Sequence, residues 1–444
     1  MSVTKSSLKR NMPTLFILIV SGALIYALPY FRYYYYDAFI KLFNINNTQM
    51  GALGSAFGGT SIIGYMCGGF FADRWPTRNL LTISLVTTGL LGFALLTYPS
   101  YPVVLGIHLA LGITSIVTFW SALIKAIRSL ADSDEQGRAF GLFEGGRGIV
   151  NMVQSAVILS LFGYLAAKFG DKTALSAVIT VYSAICLLLG VIVYILYKDP
   201  EVRGGEKVAL SKKVFDKAAF LKVAKMPTTW LCTIIIFTSY STIISYFYIT
   251  PYATLVFGAS AVVASAMGYF SQYCRPVGCF TAGFLADRVG SSKMLSILYV
   301  IMTIGLSALV LMPGKPSLIF LLLTFCAAIY ASMYGIQSLH FAILEEGDYP
   351  LSTTGAATAI ITPLGYSTEM IMPIIAGMCL DARPGPAGYK VFFTILIALS
   401  AAGFFTSLVW QYVTREKRAY LRQQRISAAA VPSIDAAPET APEA

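Results

Sequence analysis

Twelve long apolar runs follow one another along this chain of 444 residues, and most of the breaks between them are short. They fall at roughly 13–36, 50–72, 79–98, 102–124, 138–166, 174–197, 228–251, 260–286, 293–313, 317–344, 353–380 and 389–413. A helix needs about 20 apolar residues to cross roughly 30 Å of hydrocarbon. A segment in lipid must satisfy its own backbone hydrogen bonds, and none of the runs shows the strict alternation of a barrel strand. Each therefore reads as a helix, and the chain as an all-α integral membrane protein with 12 transmembrane helices. A mean hydropathy of +0.70 agrees with this. Only 12% of the residues are charged, so domain counts for soluble chains do not apply.

The net charge of +11 follows from topology and does not point to nucleic acid. The N-terminal tail (Lys5, Lys9, Arg10), the eight basic residues from Lys198 to Lys225 and the five from Arg415 to Arg425 hold 16 of the 32 Lys and Arg. Basic residues accumulate on the cytoplasmic side, so both termini are expected inside. No small-residue cleavage site follows the basic N-terminus, and the first span is expected to be retained. The seven cysteines lie within spans and lack metal-ligand spacing. No metal or cofactor is expected. A Gly-rich phosphate loop and a nucleophile–base set are also missing from the pattern, which argues against an enzyme.

The polar stretch 198–227 divides the chain into 1–197 and 228–413, six runs each, and a tail at 414–444 follows. The tail turns Ala/Pro-rich from about Ile426 and reads as disordered. The halves repeat. "GGFFADRWPTR" and "AGFLADRVGSSK" align Gly69 with Gly283, Ala72 with Ala286, Asp73 with Asp287 and Arg74 with Arg288. Further on, Gly137 in "EQGRAFG" matches Gly355 in "STTGAATA" at nearly the same offset.

Those two segments resemble the signature loop between helices 2 and 3 of the major facilitator superfamily and its second-half copy. Gly290 keeps the loop glycine of the second copy; in the first, Pro76 occupies that position and Thr77 replaces a basic residue. The resemblance spans residues 10 to 415 and implies two six-helix bundles working by alternating access. It also implies a gating role for Asp73, Arg74, Arg78, Asp287 and Arg288. Asp73 would sit near the start of span 11, and Asp287 near span 5, each stabilised by a positive helix N-terminus. Within the superfamily, "EQGRAFGLFEGGRGIV" and the Arg-bearing first span are similar to the YihN-type bacterial inner-membrane group. More distantly they are similar to the organic phosphate and organic anion porters.

Several charges lie deep in the spans, where insertion costs about 2.5–3.5 kcal/mol each. Glu144 and Arg147 are neighbours on one helix face. They read either as a self-neutralised structural pair or as a switch that frees Arg147 for substrate. Arg32 reads either as snorkelling among Tyr33–Tyr36 at the membrane surface or as facing the cavity, with Pro29 bending the helix before it and Tyr33 beside it as a donor. The organic anion porters carry an Arg at the comparable place. Arg275 has no acid one turn away, so it reads as a cavity-facing ligand, with an interhelical pair to Glu369 as the alternative. Glu369 is a candidate proton carrier, and His340 a second group able to titrate. Lys125 reads as a snorkelling residue at a span end.

Three deep arginines against two acids make the expected cavity net positive. Guanidinium groups match carboxylate, phosphate or sulfonate oxygens. The expected function is a proton-coupled symporter or exchanger of a small organic anion: a sugar acid, sugar phosphate or sulfonate. It is expected to work as a monomer, with the anion and a proton or counter-anion as partners. The alternatives are an inorganic, nitrate-like porter, which lacks its second Arg in span 2, and an efflux pump, which three deep arginines do not suit.

Overall fold

The computed structural model describes residues 7–130, 136–198, 217–340, 342–349 and 354–430. They form a helical bundle. Its first half contains α1 (Met12–Leu24), α2 (Ala27–Tyr34), α3 (Tyr36–Phe43), α4 (Asn47–Arg74), α5 (Thr77–Leu95), α6 (Tyr101–Gly112), α7 (Ser121–Ser129), α8 (Gln136–Phe169) and α9 (Asp171–Leu196). Its second half contains α10 (Lys217–Ala224), α11 (Pro227–Ser245), α12 (Ile249–Phe257), α13 (Ala261–Val289), α14 (Ser291–Leu311), α15 (Ile319–Leu339), α16 (Thr354–Gly365), α17 (Thr368–Ala382), α18 (Pro386–Val413) and α19 (Arg415–Ala430). Among the described residues, nine helical segments are long and apolar enough to cross a membrane, or ten with α1 and α2 taken as one bent span. The 28-residue α4 and 29-residue α13 do not meet that test.

Short connections make successive spans antiparallel. The start of α1, the end of α18, the turn at Trp75–Pro76 and the ends of α7 and α15 therefore share one side, here the terminal side. Asn11 Nδ2 donates to Leu130 O there at 2.9 Å. Lys417 pairs with Asp348 at 2.8 Å, holding the start of α19. Residues 414–444 were expected to be disordered, yet Arg415–Ala430 is helical, because "REKRAYLRQQR" is built from strong helix formers. Residues 199–216 of the expected linker and 431–444 of the tail lie outside the described residues.

Four apolar runs are interrupted, and the interruptions matter. The first bends by 42° between α1 and α2. Pro29 cannot donate to Ile25 O, which frees the helix to turn there, as the sequence suggests. The seventh passes through a 3₁₀ turn at Tyr246–Tyr248, where Pro251 leaves Phe247 O without its helical donor. The eleventh breaks at Tyr366–Ser367. The fourth is π-helical over Ile113–Trp120. Such breaks are tolerated in a membrane where they are buried in protein or line a cavity.

On the far side the two halves of the chain close on each other. Tyr33 stacks on Phe247 with centroids 4.4 Å apart, and Tyr34 on Tyr269 at 3.9 Å. Thr254 Oγ1 donates across to Asp37 Oδ2 at 2.7 Å, while within the second half the Tyr248 hydroxyl donates to Pro373 O at 3.0 Å. Asn46 caps α4 in a reciprocal box with Gln49. The Asp381 carboxylate at the end of α17 adds to this cap, accepting from Asn47 N (3.2 Å), Asn47 Nδ2 (2.8 Å) and Thr48 N (2.7 Å). A carboxylate at a helix N-terminus meets both unpaired amides and the positive end of the dipole. Close approach of α4 and α17 requires glycine: a Cβ on Gly51 would overlap Pro373 O, and one on Gly58 would overlap the Glu369 carbonyl.

Candidate functional site: a central cavity between the two halves

A cavity of about 770 Å³ lies between the halves. It reaches from Tyr34 and Tyr246 in the middle of the molecule to Glu144 and His340 near the terminal side. Each bent run contributes an aromatic residue at or beside its break: Tyr26, Phe247 and Tyr366. Trp120, at the end of the π-helical stretch, adds a fourth. The wall thus mixes aromatic rings with polar and charged side chains in about equal measure, as suits a polar small molecule.

Arg275, on α13, faces this cavity and is exposed to it. Its guanidinium lies 5.5 Å from the Tyr334 ring centroid and forms no salt bridge among the described residues. The alternative pair with Glu369 is not formed. Glu369, on the first turn of α17, is buried and accepts the Tyr30 hydroxyl at 2.5 Å. A carboxylate there sits at the positive end of α17.

Glu144 and Arg147 do pair, Nη1 to Oε1 at 2.9 Å. Arg147 Nε also donates to Gly22 O at 3.1 Å, which ties α8 to α1. The rings of Trp120, Phe143 and Tyr26 surround its guanidinium at 5.0, 5.2 and 5.8 Å. The structure therefore places Arg147 in an interhelical joint at the edge of the cavity.

Neither expectation for Arg32 describes its position. It is 1% exposed, so it does not snorkel at a surface, and it is not among the residues lining the cavity. It lies over the Tyr33 ring at 4.3 Å, and its Nε and Nη1 have no hydrogen-bond partner. Tyr33, expected to touch substrate, is stacked against Phe247 and also lies off the cavity wall; Tyr30 and Tyr34 line it instead. The bend at Pro29 sets which face of α2 looks inward, and the far-side stack covers the other. Arg32 is close enough to Glu369 for their charges to act on each other across this layer.

His340 lines the cavity at the end of α15, with Nε2 3.4 Å from the Tyr366 hydroxyl. Lys125 is not free in a headgroup layer: Nζ donates to Ala72 O at 2.6 Å, in the last turn of α4. Of the gating residues, the Asp73 side chain lies outside the described residues. Arg74 is exposed and lies 3.6 Å from the Phe70 ring centroid, and Arg78 lies 4.8 Å from that of Tyr194. Asp287 and Arg288 are exposed. The expected contact of Asp287 with the start of α8 is not among the hydrogen bonds or ion pairs of the described residues.

Sequence reasoning missed the amides of the cavity wall: Asn151 and Gln154 on α8, Gln272 on α13 and Gln337 on α15. A signal was available. Asn151 and Gln154 follow Arg147 by one and two turns, and Gln272 precedes Arg275 by three residues, which is the spacing of one helix face.

Comparison with known proteins fits this architecture. The model of the Major Facilitator Superfamily matches residues 14–373. Inner membrane protein YqcE of Escherichia coli K12 is 30% identical over 412 residues, 91% of this chain and 96% of its own. Inner membrane protein YihN of the same strain is 28% identical over 396 residues, 88% of this chain and 93% of its own. A bacterial homolog of the human lysosomal transporter Spinster, solved inward-facing and unoccupied, superposes with a TM-score of 0.72 at 13% identity, covering 94% of this chain and 98% of its own. The nucleoside transporter NupG gives 0.69 at 14% identity, covering 91% and 98%. At such identities the structural likeness speaks to fold alone. The chain belongs to the major facilitator superfamily: it is a multi-pass membrane transporter rather than an enzyme, and both Escherichia coli relatives are inner-membrane proteins.

Proposed function

We propose that the protein carries a small organic anion across the inner membrane by alternating access, coupled to protons or to a counter-anion. In this reading α4 and α13 also span, completing twelve spans in two bundles, 1–197 and 228–413, joined by 198–227. A 28-residue helix is about 42 Å long, ample for the bilayer. The basic tails and linker put the terminal side in the cytoplasm. The far-side closure then makes this an inward-open state, with the cavity facing the cytoplasm.

The observation that carries the substrate class is Arg275. A guanidinium facing a cavity with no carboxylate on it leaves its fork of donors for an anion. Glu144 is engaged by Arg147, and Glu369 accepts the Tyr30 hydroxyl, so each acid of the wall has a partner other than Arg275. A cavity of this size suits an organic solute better than nitrate. Arg32 is the second guanidinium of this reading. It waits, with two unpartnered nitrogens, behind the Tyr33–Phe247 stack, and opening the far side uncovers it.

Arg275→Lys keeps the charge and removes the fork. A hydrogen bond to a charged group contributes about 1.5–3 kcal/mol, so the dissociation constant of a stabilising anion should rise roughly ten- to a hundredfold. Melting temperature in an anion screen, read against unliganded controls, measures this by mass action. An Arg275→Ala variant that binds and transports as wild type does would overturn the reading.

A further inference from the structure

We propose that Gln154 and Gln272 read hydroxyl groups on the body of the transported anion, so the substrate class is a polyhydroxylated organic anion rather than a plain carboxylate. This rests on the reading of Arg275 as the anion's anchor.

Both amides line the cavity and are held by tyrosine hydroxyls, Gln154 by one behind the wall and Gln272 by two on the wall itself. Gln154 Oε1 accepts the Tyr182 hydroxyl at 2.6 Å. Gln272 Nε2 reaches the hydroxyls of Tyr246 at 3.1 Å and Tyr34 at 3.4 Å. Each amide therefore spends one end on a fixed tyrosine and keeps its other end for the cavity. One free end is a donor and the other an acceptor. A hydroxyl satisfies either kind, whereas a methylene satisfies neither.

Placement supports the same occupant. Gln272 and Arg275 are three residues apart on α13, so their side chains start about 5–6 Å apart. An anion seated on Arg275 thus has its next few carbons beside Gln272. Gln154 approaches from α8, which meets α13 where the Tyr273 hydroxyl donates to Met152 O at 3.1 Å. Aromatic rings, those of Tyr26, Tyr30, Trp120 and Tyr334 among them, also line the wall. Such faces accept the C–H surface of a sugar ring or chain while the amides take its edges. A site built to hydrogen-bond a hydroxyl rejects the analogue that lacks one, because its own polar groups are then left unpaired.

The test uses the purified full-length protein in detergent and thermal-shift titrations with matched probes. These are gluconate against hexanoate, glucuronate against cyclohexanecarboxylate, and sorbitol as the uncharged polyol. The expected result is that at least one hydroxylated acid binds about tenfold or more tightly than its deoxy partner and than sorbitol. Gln272→Leu and Gln154→Leu are each expected to narrow the gap between partners, by weakening the hydroxylated acid and by removing the unpaired amide that penalises its deoxy partner. Equal binding of hydroxylated and deoxy acids overturns the hydroxyl reading and leaves the anion reading standing. Sorbitol binding as tightly as gluconate overturns the anion reading instead. Failure of both hydroxylated acids to bind overturns the proposal for this class, and so does an unchanged gap in both leucine variants.

Discussion

On the far side α4 lies against α17 backbone to backbone, with Gly51, Gly58 and Gly377 each leaving no room for a Cβ and Asp381 capping the first amides of α4. On the terminal side the same helix ends with Phe70 and Trp75 exposed, and α16 packs chiefly on α10 and α11. The two ends differ although each has an aspartate at its tip, Asp73 closing α4 and Asp381 closing α17. The difference shows what closure is made of here: glycine-lined contact along the helices, and a carboxylate set on the N-terminus of the partner.

The contact surface itself should be the hardest part to change. Gly58→Leu would drive a side chain into the Glu369 carbonyl, and neighbouring backbone cannot yield. The far side should then fail to close. Uptake is expected to fall to background, while a thiol reagent applied from outside reaches an engineered cysteine at Tyr34. A Gly58→Leu variant with wild-type uptake and an unreactive cysteine would show that the close approach does not matter for transport.

Glu369 sits on the first turn of α17, just after the break in the eleventh run, with the cavity beside it. If it carries the coupled proton, Glu369→Gln should abolish uptake driven by a proton gradient, by about a hundredfold, and spare exchange of labelled for unlabelled substrate. Loss of both activities with binding intact would make Glu369 part of the gate instead, and full retention of proton-driven uptake would remove it from coupling.

How far the sequence allows this picture depends on what each residue must satisfy. Lipid imposes length and apolarity on every span, so the apolar runs were readable, and the proline at position 29 announced its bend. Arg275 was readable because a lone deep guanidinium has no local explanation. Arg32 and Tyr33 were not, because which face of α2 meets the cavity is decided by the angle of a break and by a stack onto Phe247, from the other half of the chain. The run "YFRYYYY" offers a tyrosine to every direction, and only tertiary packing selects Tyr30 and Tyr34. Asp381 was unreadable for the same reason: its partners lie 333 and 334 residues away in sequence.

The two aspartates should act in opposite directions. Asp381→Asn keeps an acceptor on α4 but loses the charge, worth about 1–2 kcal/mol at a partly buried helix N-terminus. That shifts the far-side equilibrium toward open by a factor of about 5–30. Asp73→Asn should favour the state seen here, and both variants, like Asp287→Asn, should slow transport more than they weaken binding. Spin-label distances across each side would read the populations. The double variant should return near the wild-type balance; both single variants shifting the same way would break the comparison between the ends.

The smallest effect should come from the other far-side contact. Thr254 Oγ1 donates to Asp37 at 2.7 Å, but that carboxylate is exposed and Thr254 also bonds Pro251 O at 2.9 Å. Water can replace the threonine on Asp37 once the side opens, so the bond contributes only about 0.5–1 kcal/mol to closure. Thr254→Val keeps shape and β-branching and should move the same spin-label populations about two- to fivefold, less than Asp381→Asn does. This ordering separates two accounts of the closed end. If closure depends on a carboxylate meeting a helix N-terminus, the Asp381 variant must exceed the Thr254 variant. If it depends on any polar bridge between the halves, the two shifts will be equal, and the Asp73 end then has no special claim to mirror the Asp381 end.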